Sequence, residues 1–167
     1  MTAKVNGTDN SVAAPAFVGS DATTGIYFPT TGQLAVSISG TQTALFASTG
    51  VSNITLSNPT VTNYLESVVA IGNSGTTQAI SLTNGTVQTV TLTGNCTFTM
   101  PTATAGKSFI LIVVQDATGS RTATFTSVKW PNGTAPTITT TASTGRDILT
   151  FVSDGTNWYG TYAQAFA

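Results

Sequence analysis

The chain has no histidine, one cysteine, and only 5 basic and 6 acidic residues among 167. Without histidine, the commonest general base, the Ser-His-Asp triad and most zinc sites are excluded. Cys96 alone cannot form an intrachain disulfide, and it leaves no set of nitrogen and sulfur ligands for a structural metal. Cys96 alternates in phase with Phe98 and Met100, which predicts a buried thiol rather than a reactive one. The carboxylates Asp9, Asp21, Glu66, Asp116, Asp147 and Asp154 are too dispersed for a calcium loop, leaving only an ion shared on an oligomer axis. No cofactor is therefore expected. Charged residues make up 7% of the chain, against roughly 25% in an ordinary globular domain. The basic residues Lys4, Lys107, Arg121, Lys129 and Arg146 are widely spaced and the formal net charge is −1, so no basic stripe exists for nucleic acid. The longest apolar run, FILIVV at Phe109 to Val114, is too short to cross a bilayer, so membrane insertion is not expected. The opening residues lack the continuous apolar region of a signal peptide.

Enzymatic motifs are missing as well: there is no phosphate-binding loop, dinucleotide fingerprint or nucleophile elbow. Glycoside hydrolysis needs two carboxyl groups about one bond. Asp147 and Asp154 would flank a hairpin, but Asp154-Gly155 reads as turn chemistry, and Asp147 is expected to pair with Arg146 or face water. The chain is thus expected not to be an enzyme. Five Asn-x-Ser/Thr sequons, at Asn6, Asn53, Asn84, Asn95 and Asn132, follow from the abundance of Asn and Thr.

What the chain does contain is threonine, at roughly one position in five, a β-branched residue suited to pleated strands. Alternation of period two recurs: Leu34, Val36 and Ile38; Val90 and Leu92; Cys96, Phe98 and Met100. Turn signals such as Asn132-Gly133 and Asp154-Gly155 punctuate these runs, which predicts an all-β sandwich or barrel. The run from Phe109 to Val114 is apolar on both faces, so it predicts a central strand covered on both sides, by its own domain or by another subunit. The first 57 residues carry few large apolar side chains and cannot bury an adequate core alone, which favours strands shared between chains. The domain boundary is placed near Ser57-Asn58-Pro59, giving an N-terminal segment 1–57 and a C-terminal domain 58–167.

The stretch TFVSDGTNWYGTYAQAFA near the C-terminus reads as a hairpin turned at Asp154-Gly155, with Trp158 in the core. Tyr159, Asn157 and Trp130, which runs straight into the turn Pro131-Asn132-Gly133, are the candidate aromatic and polar contacts for a surface glycan.

Residues Pro15 to Val51 resemble a module of tailed-bacteriophage fibres. They supply an apolar strand, then Asp21, Thr24, Gly25, Ile26, Tyr27 and Pro29, an alternating strand, and Gly40, Thr41 and Phe46. Residues from about Asn58 onward, through GNCTFTMP, GKSFILIV and DILTFVSDGTNWYGTY, are similar to C-terminal domains of phage fibre proteins. The resemblance implies a homotrimer displayed on the virion: intertwined N-terminal strands followed by a C-terminal antiparallel β-sandwich of jelly-roll type. It also implies assembly in the bacterial cytoplasm, with other tail, baseplate or capsid proteins and a host-surface glycan as partners. Phe17, Ile26, Tyr27, Leu34, Val36, Ile38 and Phe46, with Ile110, Ile112 and Val114, are the candidate trimer-interface residues. Residues 1 to 20 are the expected attachment segment. A capsid decoration protein and a free carbohydrate-binding module are the alternative readings.

Overall fold

The computed structural model describes residues 4–5, 13, 17–18, 20–48, 50–52, 60, 62–83 and 85–166. Most of the expected attachment segment, and the boundary residues Ser57 to Pro59, lie outside the described residues, as do Asn6, Asp9, Asn53 and Asn84. Strands dominate, there is no α-helix among the described residues, and the chain divides into two compact units, Met1–Thr62 and Asn63–Ala167.

The N-terminal unit is a six-stranded antiparallel meander of β1 (Lys4–Val5), β2 (Phe17–Val18), β3 (Gly25–Tyr27), β4 (Leu34–Ile38), β5 (Thr41–Ala47) and β6 (Gly50–Ser52), each paired with the next. The turn joining β4 to β5 has positive φ at both central residues, Ser39 at 50° and Gly40 at 73°, and Ile38 pairs with Thr41 across it. That is the mirror-image turn whose twist matches two antiparallel strands.

The C-terminal unit contains two sheets. One has six strands in the order β13 (Val128–Lys129), β15 (Trp158–Phe166), β14 (Arg146–Ser153), β11 (Ser108–Gln115), β9 (Val87–Leu92), β7 (Val68–Asn73). The other has three: β12 (Ala123–Phe125), β10 (Cys96–Thr99), β8 (Thr77–Ala79). The run from Phe109 to Val114 lies in β11, a central strand between β9 and β14, with one face buried in the core and the other only half-buried. The inner face of the six-stranded sheet supplies Val90, Leu92, Phe109, Leu111, Val113, Leu149, Phe151 and Trp158 to a core completed by Cys96, Phe98, Met100, Ile80 and Ile138.

The expected antiparallel C-terminal sandwich is corrected: its six-stranded sheet is mixed and its three-stranded sheet is wholly parallel. Only β11 with β14 and β14 with β15 are antiparallel; β7–β9, β9–β11, β8–β10, β10–β12 and β13–β15 are parallel. From β7 to β12 the chain alternates between the two sheets, so each strand returns beside its predecessor in the same direction. A parallel pair needs a crossover, and here a strand of the opposite sheet supplies it. The C-terminal hairpin then closes the larger sheet, with Gly155 at φ 100° in its turn.

Candidate assembly faces and surface contacts

In the N-terminal sheet, pairing sets Phe17 opposite Ile26, Ile26 opposite Val36, Leu34 opposite Phe46, and Phe46 opposite Val51. Five of these apolar side chains, together with Ile38, lie on one face with substantial exposure: Phe17 45%, Ile26 40%, Leu34 37%, Ile38 53%, Phe46 42% and Val51 58%. Monomeric proteins rarely leave so continuous an apolar surface in water. The opposite face, with Val18, Tyr27, Ala35 and Ser37, is buried. Tyr27 was expected to join the exposed set. Adjacent strand residues point to opposite faces, however, so Ile26 faces out and Tyr27 turns in, where its hydroxyl donates to Gln42 Oε1 at 2.6 Å.

The phage-like motif fixes this sheet locally. Asp21 accepts hydrogen bonds from the Thr23 backbone N–H, the Thr23 hydroxyl and the Thr24 hydroxyl, and these hold its carboxyl below the ordinary value, the Thr24 contact contributing most. Thr24 Oγ1 in turn accepts the Ser39 N–H at 2.9 Å, while the Thr23 carbonyl accepts from Ser37 Oγ and Gly40 N, both at 3.0 Å. The Asp21–Thr24 loop thus clamps the β4–β5 turn.

Ile110, Ile112 and Val114 share the outer face of the six-stranded sheet and are half-buried, while Phe109, Leu111 and Val113 fill the core. The N-terminal and C-terminal interface candidates therefore occupy separate sheets, each set on one face apart from Tyr27.

The glycan-contact candidates do not converge. Trp130 is half-buried, its ring edge-on to Phe125 and Phe151 at 5.7 Å and to Tyr162 at 6.1 Å, lying over Gly160 on the inner side of the hairpin. Tyr159, the residue before Gly160, faces the other way and is 43% exposed. Its phenol donates to Asp154 Oδ2 at 3.0 Å, and that partnership raises its pKa. Asn157 closes the turn, its N–H donating to Asp154 Oδ1 at 2.7 Å. Asp154 also accepts the Thr156 N–H at 2.8 Å, and this cradle of donors, Asn157 first, lowers its carboxyl to about 2. These contacts build a turn.

Asp147 is not paired with Arg146 and does not face water, contrary to expectation. It is 1% exposed and accepts from Thr139 N–H and Oγ1, both at 2.6 Å, and from Ala165 N–H at 3.0 Å. The β14 alternation turns Asp147 inward with Leu149 and Phe151. Cys96 is buried, and desolvation raises its thiol pKa. Among the described residues no group of three His, Cys, Asp or Glu could hold a metal ion, and no helix is long and apolar enough to cross a membrane.

Exposed apolar residues outside the expected set include Leu65, 97% exposed, Tyr64, 72%, Val68, 60%, and Val152, 51%. Leu65 and Tyr64 precede the first C-terminal strand in a stretch without period-two alternation, so only their exposure in the structure identifies them.

The model of a family described as "Putative phage tail fibre C-terminal domain" matches residues 74–158. No curated protein and no solved structure matches the chain.

Proposed function

The chain belongs to the phage tail fibre C-terminal domain family, and from that premise we propose that it is a homotrimeric tail fibre, joined to the virion through its N-terminal segment and carrying its C-terminal unit outward toward the host surface. The family is structural and non-enzymatic, its members are virion components that associate with other virion proteins, and this chain is a phage structural fibre protein in that sense.

The observation that carries the trimeric reading is the N-terminal sheet face. Phe17, Ile26, Leu34, Ile38, Phe46 and Val51 leave one side of a small sheet apolar and exposed, which costs free energy in water and is relieved when copies share that face. The tail, rather than the head, is the position the family supports. Host contact falls to the Asp154–Asn157 turn, with Tyr159, one of the exposed aromatics of β15, at its rim. Immunogold microscopy of intact virions tests the placement. Gold on the tail at low copy number is expected; gold over the head at high copy number would instead support a capsid decoration protein.

A further inference from the structure

The C-terminal unit holds a second uncovered sheet face, and strand register shows how continuous it is. One row runs Val68, Val87, Ile110, Thr150, Thr161 across five strands; the next runs Ala70, Thr89, Ile112, Ile148, Ala163. Neither row contains a charged side chain. A flanking row carries Ser108, Val152 and Tyr159, with Lys129 beside Tyr159 at its end. At the opposite margin Glu66 accepts a hydrogen bond from Thr86, and Tyr64 borders a groove of about 230 Å³ lined by Val87, Ile110 and Thr150.

We infer that this outer face meets second copies of the same chain, so that the C-terminal units assemble around a shared axis through β7, β9, β11, β14 and β15. The inference rests on the fibre reading and assigns it a second interface, separate from the N-terminal sheet. Size supports the choice of occupant. Five strands at roughly 4.8 Å spacing and six steps of roughly 3.3 Å along β11 span about 24 by 20 Å. That is roughly 500 Å² before side-chain relief, which with bare Leu65 and Tyr64 at the margin approaches the roughly 800 Å² each partner buries in a stable interface. Charge supports it too. The two central rows are uncharged, and charge is confined to the rim: an acid, Glu66, at one end, a base, Lys129, at the other, and Arg146 beside Val114, so the acidic edge of one copy can meet a basic edge of the next. The outer side of the three-stranded sheet differs: Thr77, Thr97 and Thr124 align there as an exposed hydroxyl row with no large apolar group.

Cysteine cross-linking in the full chain tests the inference, because native Cys96 is 2% exposed and stays silent. Thr150→Cys places a thiol on β14 within the face, beside Ile110, and Thr97→Cys places one on the three-stranded sheet as control. Copies that turn this face toward a shared axis bring the Thr150→Cys thiols within reach of one another, and mild oxidation should yield at least about tenfold more inter-chain disulfide than Thr97→Cys. Adding Ile112→Asp to Thr150→Cys should remove that excess. Equal, low cross-linking in a chain that is trimeric by solution mass would overturn this inference and leave the fibre reading standing. A monomeric mass with no cross-link would overturn both.

Discussion

A methyl group at Gly160 would stand 2.5 Å from Trp130 Cζ3, and that indole is held between Phe125, Phe151 and Tyr162. These ring contacts would have to shift for the indole to give way. Gly160→Ala is therefore expected to destabilise the C-terminal unit by about 1–3 kcal/mol, read as a lowered Tm. Asp147 poses a different local problem. Three donors converge on its two oxygens within the core, so Asp147→Asn presents an amide N–H to a donor and should cost about 1–3 kcal/mol. The loss is structural, since the carboxylate is enclosed. At exposed turns the carboxylates act in a pH window. The folded Asp154 carboxyl titrates at about 2, below its ordinary 3.8, because it accepts hydrogen bonds when ionised. Its contribution is complete above the ordinary value and is lost as pH falls from there through about 2; Asp21 and Asp116 shift the same way. With no histidine present, Tm should be flat from about pH 5 to 9 and decline only below about pH 4. A transition centred near pH 6 would contradict this.

At the scale of elements, the N-terminal face separates a lone chain from an assembly. Ile38 and Phe46 are 53% and 42% exposed. In an isolated chain Ile38→Asp or Phe46→Asp would cost little, on the order of 0.5 kcal/mol. In the proposed trimer each buries a charge between copies, so either change should lower the solution mass while the circular dichroism stays that of a β protein. The same element scale explains what could be read from the residues. Alternation at Leu34, Val36 and Ile38, at Val90 and Leu92, and at Cys96, Phe98 and Met100 defined faces, and Asp154-Gly155 marked the C-terminal hairpin that is observed between β14 and β15. Trp158 is 2% exposed, as the hairpin phase required. Partner choice was not legible, because alternation specifies which side of a strand is apolar and not the strand it lies beside; β7, β9 and β11 therefore emerged as parallel neighbours instead of hairpins. Trp130 was equally hidden. Its packing depends on Gly160, thirty positions away, and no local pattern links the two.

For the whole molecule, scarcity of charge and two separate apolar sheet faces lead to one consequence. In the proposed assembly both faces would be shared between copies of the chain. A structural, non-enzymatic virion family suits such a molecule, since its work is done by shape and durability rather than by a reactive site. The most direct test is the solution mass of the full-length protein by sedimentation equilibrium at neutral pH. The chain mass is 17.0 kDa, and the proposed trimer predicts a species of three times that value that persists on dilution. A single species at 17.0 kDa, with both sheet faces exposed to water, would contradict it.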